Sequence, residues 1–265
     1  MQGADTTPTV TPEGVTRAEE RPVGDNLYRQ DGWAADMPWL VHGITGNGAD
    51  MSLFGSTPVG TAIAQWVALR DRLGCVAAVH ARQVHGASVH VHGAVMPGLL
   101  IADDADGHIT TRGGVLLGVT VADCVPIYIA APDVGAVALL HGGWRGIAAG
   151  ILENGIGTLV RRCGATAAAL RIHFGPAICG DCFEVGPEVP TGLGLTSARD
   201  ATHVDLRAAL AHRAAACGVP AGQISISTYC TRHGDSPFYS HRAGCAERQL
   251  AILAVRSATG ASPPT

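Results

Sequence analysis

Between residues 115 and 140 the chain carries three apolar runs, 115–121, 127–131 and 135–140, punctuated by Asp123, Pro126, Pro132, Asp133 and Gly135. The interruptions rule out a membrane crossing, because their polar and helix-breaking groups would have no partners in lipid. The runs are too continuous for strands with one wet face. They read as strands buried on both sides, the core of a sheet.

The rest of the chain fits around that core. Apolar residues at helical spacing over 60–73, closed by Gly74, predict a helix with a glycine cap. Short strands are expected at 76–80 and 89–92, flanking Arg82-Gln83-Val84-His85-Gly86. One helix is expected over 147–163, ended by Gly164. Further strands are expected at 170–174 and 224–229, with Asp205 capping a helix that runs to Gly218. Residues 40–51 carry several glycines and no period, as a loop would. There is no internal repeat. The organisation predicted is a disordered lead over 1–30, a single α+β domain of mixed β-sheets surrounded by helices over 31–258, and a flexible tail over 259–265.

Composition narrows the chemistry. All 18 Lys+Arg residues are arginine, so lysine-based Schiff-base chemistry is excluded. The net charge of −4, with scattered arginines, gives no basic stripe for a phosphate backbone, and no nucleic-acid partner is expected. The first 26 residues lack the basic start and apolar stretch of a secretory leader. The eight cysteines are therefore expected to be reduced thiols in a cytoplasmic protein, with no membrane partner.

Polar residues at the ends of buried strands are costly unless they are used. Cys124 follows the first run within Ala122-Asp123-Cys124-Val125-Pro126, and His141 ends the third and opens His141-Gly142-Gly143-Trp144-Arg145-Gly146. Strand pairing can set this thiol beside this imidazole, and His85 in its Gln-Val-His-Gly turn offers a third ligand. Two imidazoles and a thiolate suit zinc or copper better than magnesium or calcium. Three protein ligands leave a fourth position for water or substrate. Taken singly, the same residues also read as a small buried hydrophobe and a carbonyl-bonded histidine. As a pair they read as a metal-free Cys–His nucleophile. The amides of 142–146, with Arg145 in the first helical turn, form either an anion site or a plain tight turn. Cys179-Gly180-Asp181-Cys182 is a Cys-x-x-Cys pair with no second half in view, which argues against a zinc knuckle and leaves a redox pair as the other functional reading. His90 and His92 share one strand face, as an exposed strand also explains.

Gln83-Val84-His85-Gly86, Ala122-Asp123-Cys124-Val125-Pro126, His141-Gly142-Gly143-Trp144-Arg145-Gly146, Gly175-Pro176-Ala177-Ile178 with Cys182-Phe183-Glu184-Val185, and Phe238-Tyr239-Ser240-His241-Arg242 stand in one order over residues 38–256. Together they resemble the bacterial multicopper polyphenol oxidoreductase (laccase) domain, or YfiH-like, family. The resemblance implies a fold similar to that of a bacterial toxin deamidase. It implies His85, Cys124 and His141 as zinc ligands and catalytic residues, with Gln83, Arg145, Cys182 and Arg242 around the substrate. It also implies a zinc-dependent purine nucleoside enzyme acting on small-molecule nucleoside and phosphate, by phosphorolysis of adenosine, inosine or methylthioadenosine, by adenosine deamination, or by both. Copper-dependent oxidation of polyphenols and a Cys–His hydrolase editing peptidoglycan precursors are the alternatives, with copper as the alternative metal. A monomer or small homo-oligomer is expected.

The chain departs from the family pattern at three places. His42-Gly43-Ile44-Thr45-Gly46-Asn47 stands where the family usually reads His-Gly-Phe-Ser-Thr-Arg, Gly143 replaces alanine, and Ala243 replaces a second arginine in a loop one residue shorter. The loss of two cations predicts weak phosphate binding, and hence deamination less affected than phosphorolysis.

Overall fold

The computed structural model describes residues 11–195 and 200–257. The expected tail at 259–265, like residues 1–10 of the expected lead, lies outside the described residues.

Two seven-stranded mixed sheets form the body. The first runs in the order Thr16–Ala18, Ile224–Ser227, Arg171–Phe174, Val125–Ala131, Ala136–Gly142, Gly107–Thr110, Val89–His92. The second runs Glu20–Pro22, Leu27–Gln30, Leu40–Thr45, Gln249–Val255, Val115–Val121, Ala77–Ala81, Gly98–Ala102. Alternation along the strands divides the apolar residues into three packed layers. Tyr128, Ala130, Val137 and Leu139 of the first sheet meet Leu117, Val119, Ala251 and Leu253 of the second. On the outer face of the first sheet, Ile127, Ile129 and Leu140 pack under the helices Ile151–Cys163 and Leu206–Ala216. On the outer face of the second, Leu116, Leu250 and Ile252 pack under Trp66 and Leu69 of the helix Val59–Arg72. The architecture is helix, sheet, sheet, helix. It explains the continuous apolar runs, since strands covered on both faces have no wet side to mark.

The local signals explain most element ends. Gly74 follows the first long helix at φ +68°, and the Asp205 carboxylate accepts the N–H groups of Arg207 and Ala208 as an N-cap. The expected helix over 147–163 is two, Trp144–Ala148 and Ile151–Cys163, because Gly150 takes φ +87° between them. Residues 40–51, expected as a loop, contain the strand Leu40–Thr45, buried at every position. Burial on both faces removes the period-2 alternation that would have revealed it.

The lead expected to be disordered through residue 30 is ordered from residue 11 onward and supplies three strands. Its anchor is Glu20, only 3% exposed, whose carboxylate takes His173 Nε2 at 2.7 Å and Ser227 Oγ at 2.6 Å. A buried carboxylate with two partners outweighs the polar composition around it. Nor do the three runs at 115–140 lie in one sheet as neighbours. Val115–Val121 belongs to the second sheet and the next two strands to the first, because residues 122–124 cross between the layers.

Candidate metal centre

Three segments cross from the second sheet to the first: 82–88, 103–106 and 122–124. The candidate site lies where they meet the end of the strand Ala136–Gly142. His85 comes from the first crossing and Cys124 from the third. His141 sits opposite Pro126 in the antiparallel pairing of Val125–Ala131 with Ala136–Gly142. The donor atoms of His85, Cys124 and His141 all lie within 4.8 Å of one another. Cys124 Sγ is 3.9 Å from His85 Nε2, and the two imidazoles stand edge to face with centroids 4.8 Å apart. The three residues that the sequence grouped are thus brought together.

Asp106, from the middle crossing, organises the cluster from behind. It is fully buried, and its carboxylate accepts the N–H groups of Val84, His85 and Gly86 at 3.2, 3.0 and 2.7 Å. The same carboxylate accepts from His141 Nδ1 at 2.8 Å. A carboxylate only accepts when ionised, so the proton resides on Nδ1, and Nε2 of a neutral His141 is left as a lone-pair donor. Burial raises the Asp106 carboxyl, and its bonds to His141 and to the Gly86 and Val84 amides outweigh this and bring it below the usual carboxylate range.

The backbone is bent to serve this arrangement. His85 and Asp123 both adopt positive φ, +57° and +80°, a region that residues other than glycine seldom occupy. His85 is held there by Asp106. Asp123 is held by Thr231 Oγ1, which donates to Oδ1 at 2.6 Å, and by the Arg242 N–H, which donates to Oδ2 at 2.6 Å. A side chain at Gly143 would place its Cβ 2.7 Å from His85 Cδ2 and 3.3 Å from Cys124 Sγ. The exchange of the family's alanine for Gly143 is therefore spatially significant, since alanine would push the His85 ring aside.

Electrostatics couple thiol to imidazole. Burial pushes the Cys124 thiol up, but His141 and His85 pull it down further, to about 6. Burial disfavours charge on His141, but Cys124 and Asp106 hold it up at about 9. With no cation between them the pair favours thiolate and imidazolium, and binding a metal there would release the Nε2 proton and leave the neutral, Nδ1-protonated imidazole.

The cluster opens into a cavity of about 350 Å³, within the size range of small-ligand sites. Phe54, His80, Arg82, Gln83, His241 and Arg248 line its remaining walls. Arg82 is paired in a fork with Asp104, at 2.7 and 2.6 Å. Arg248 has no carboxylate partner among the described residues, and its Nη1 bonds to the carbonyls of residues 245–247.

The other expected substrate residues are placed differently. Gln83 lines the cavity, yet both ends of its amide are engaged by Thr120, whose carbonyl and N–H lie 2.8 Å away. Arg145 is exposed and stacks on Trp144 at 4.4 Å, outside the cavity wall. Arg242 reaches the Glu184 carbonyl and the Phe183 ring. Cys182 stands in a second cluster with Cys179, Cys230 and His233. The eight cysteines are free thiols. His92 is not on an exposed face but buried, 2.9 Å from His108 Nδ1.

Sequence reasoning missed Asp106, Phe54, His80, Arg82, His241 and Arg248 as members of the site. Asp106 stands in Ala102-Asp103-Asp104-Ala105-Asp106-Gly107, where its neighbours Asp103 and Asp104 disguise it as part of a solvated acidic turn. Its signal was the strand that begins at the next residue.

Comparison with known proteins places these features. The family model described as multi-copper polyphenol oxidoreductase laccase matches residues 62–255. Adenosine deaminase RL5, from an unknown prokaryotic organism, is 36% identical over 169 residues, 60% of this chain. The aligned part spans less than two thirds of that deaminase, 62% of its length. Purine nucleoside phosphorylase YlmD of Geobacillus stearothermophilus is 31% identical over 215 residues, 73% of this chain and 76% of the relative. The crystal structure of YlmD from the same organism superposes with a TM-score of 0.82 at 26% identity, covering 91% of this chain and all of that one. No helix among the described residues is long and apolar enough to cross a membrane.

Proposed function

We propose that this chain, which belongs to the multi-copper polyphenol oxidoreductase laccase family, is a cytoplasmic zinc-dependent purine nucleoside enzyme that uses His85, Cys124 and His141 as its catalytic metal ligands. The observation that carries the reading is the convergence of three donor atoms within 4.8 Å at the floor of a cavity of about 350 Å³. The donor set fits zinc: two imidazoles and a thiolate, with a carboxylate fixing the tautomer of one imidazole from behind. Three ligands leave an open position facing the cavity. Bound zinc supplies Lewis acidity, polarising a reacting group or acidifying water.

The chain's own residues do the rest. Asp106 orients His141, so that Nε2 faces the reaction side with its proton held on Nδ1. Phe54, 54% exposed at the cavity wall, offers an apolar face for a purine. Arg248 supplies the positive charge for a phosphate, in place of the arginines missing at Asn47 and Ala243. Holding nucleoside and phosphate together converts a bimolecular step into a local one. His80 is kept neutral, its pKa lowered to about 4 by burial despite the Gly118 carbonyl. It therefore contributes shape and hydrogen bonding rather than charge.

The relatives named purine nucleoside phosphorylase and adenosine deaminase support this substrate class. The test is a product screen on adenosine, inosine and methylthioadenosine, with and without phosphate, on protein of measured zinc and copper content. Hypoxanthine or adenine released only with phosphate identifies phosphorolysis, and inosine from adenosine identifies deamination. Absence of turnover on all three by zinc-loaded protein overturns the reading.

A second reading has one observation of its own. Cys124 lowered to about 6, His141 raised to about 9 and Asp106 behind it form the order of a Cys–His–Asp hydrolase. Chelation separates the two: metal removal abolishes the zinc enzyme and frees the thiolate of the hydrolase.

A further inference from the structure

The second cluster has its own logic. Cys179-Gly180-Asp181-Cys182 and Cys230-Thr231-Arg232-His233 are two x-x-spaced pairs, Cys-x-x-Cys and Cys-x-x-His, carried on two separate turns. The first pair lacks a second half in the sequence because that half ends in histidine and lies in a distant segment. The fold joins them. Ala177 and Cys230 form a parallel bridge, Thr231 N–H donates to the Ala177 carbonyl at 3.1 Å, and Arg232 Nη1 donates to the Cys182 carbonyl at 3.1 Å.

The four donor atoms lie within 4.8 Å of one another. His233 Nδ1 is 3.1 Å from Cys182 Sγ and 3.6 Å from Cys179 Sγ. Around one tetrahedral zinc, with bonds of about 2.0–2.3 Å, ligand atoms stand about 3.5–3.8 Å apart. The cluster is already near that span. Two backbone N–H groups, of Cys179 at 3.3 Å and Arg232 at 3.4 Å, point at the sulfur of Cys230. Such donors stabilise sulfur in its thiolate form, and a thiol buried only to be a hydrophobe has no use for them. Arg207, 2% exposed, bonds to the carbonyls of Ser227 and Tyr229 just ahead of Cys230 and brings a buried positive charge to this segment. Three thiolates around a divalent ion leave one net negative charge for it to offset.

We propose that Cys179, Cys182, Cys230 and His233 form a second metal centre, a closed Cys3His zinc site that staples the 179–182 turn to the 230–233 turn. Four protein ligands leave no open position, so the site is structural. Its consequence reaches the first cluster through Thr231, which lies between two of the ligands and donates to Asp123 at 2.6 Å. Asp123 holds the strained crossing immediately before Cys124. The staple is thus a positioning device for the catalytic thiolate, and it stands whether or not the nucleoside chemistry proposed above is correct.

Metal counting on the whole chain, purified under reducing and anaerobic conditions, tests it. Wild-type protein should carry about two zinc ions, and Cys124→Ala should keep about one. Cobalt reconstitution of Cys124→Ala should give the strong charge-transfer absorption of a tetrahedral thiolate site, and His233→Ala should weaken and shift it. A Cys124→Ala protein that binds neither zinc nor cobalt overturns the proposal, as does a Cys179–Cys182 disulfide found by mass spectrometry in the anaerobic protein. If His233→Ala fails to fold, the Cys124→Ala measurements still decide, because that variant leaves all four proposed ligands in place.

Discussion

The two thiol–imidazole clusters are built from the same residue types yet differ in what surrounds them. His85, Cys124 and His141 come from a strand end and two sheet crossings and face a cavity, and the two histidines share a buried carboxylate. Cys179, Cys182, Cys230 and His233 come from two turns tied by backbone bonds. Three donors facing a cavity leave room for a substrate. Four donors close a shell. Backbone architecture, rather than ligand identity, separates a reaction centre from a staple, and each prediction below addresses that division.

The largest effect is expected from replacing one thiol in each cluster. Cys124 is half-buried, and Cys124→Ala should lower kcat/KM on the purine nucleoside by on the order of a thousandfold, since a Lewis acid contributes several kcal/mol and each 1.36 kcal/mol is tenfold. Its melting temperature should move little. Cys230→Ser should lower thermal stability strongly, because metal binding energy at a closed site is folding energy, with a smaller loss of activity as the Thr231–Asp123 hold on the crossing before Cys124 loosens. Equal losses of activity and stability in both variants, by steady-state kinetics and calorimetry, would erase the distinction between the clusters.

Asp106→Asn comes next. An amide has an N–H2 group where one carboxylate oxygen accepted backbone N–H groups, so one face of the 84–86 turn is left opposing a donor. Loss of the carboxylate partner of a metal-binding histidine typically costs 10–100-fold in metal affinity. Competition with a zinc chelator should show that loss at one site while the second zinc stays bound. Release of both ions together would mean that the clusters are not independent.

These contrasts also mark what could be read before the structure. Two members of the three-ligand cluster were legible because Cys124 and His141 sit at the edges of buried apolar runs, where a polar residue stands out, and His85 because of its own Gln-Val-His-Gly turn. Cys182 was placed around the substrate by the family resemblance alone, and its partners Cys230 and His233 went unseen because they lie in a segment with no such contrast. The strands Leu40–Thr45 and Gln249–Val255 pair with each other across most of the chain's length, and no local period announces a strand whose neighbours are distant and whose two faces are both covered. The N-terminal strands were hidden for another reason: Glu20 reads as solvated until His173 and Ser227 are seen to enclose it.

Acid also acts outside both clusters. His42 is buried, with Nε2 on the Gln30 carbonyl and Nδ1 without a partner, and burial lowers its pKa to about 4 in spite of that carbonyl. The unfolded chain, titrating near 6.5, binds the proton more readily. Stability from the neutral imidazole is therefore complete above about pH 6.5 and declines as pH falls toward about 4, where the folded form also protonates. The full loss is on the order of 3 kcal/mol for this residue. Urea titrations across that window should show the decline, and His42→Gln, which keeps a donor for the Gln30 carbonyl, should flatten it. An unchanged slope in that variant would transfer the effect to other buried histidines such as His80.

The smallest effect tests the openness of the first cluster. The weak phosphate binding predicted from the departures at Asn47 and Ala243 carries the premise that Asn47 stands beside the site. Asn47 is exposed, donates its N–H to the Pro237 carbonyl, and is not part of the cavity wall, whereas Arg248 is. A hydrogen bond to a charged group contributes about 1.5–3 kcal/mol when direct. An exposed ion pair contributes about 1 kcal/mol or less. Arg248→Ala should therefore raise the KM for phosphate by about tenfold or more, while Asn47→Arg lowers it by less than about fivefold. Neither variant should change the zinc count, because neither residue belongs to a ligand set. If Asn47→Arg instead brings a gain as large as the loss from Arg248→Ala, the anion binds at the outer rim, toward residue 47, and the catalytic cluster is open on a wider face than the cavity alone defines.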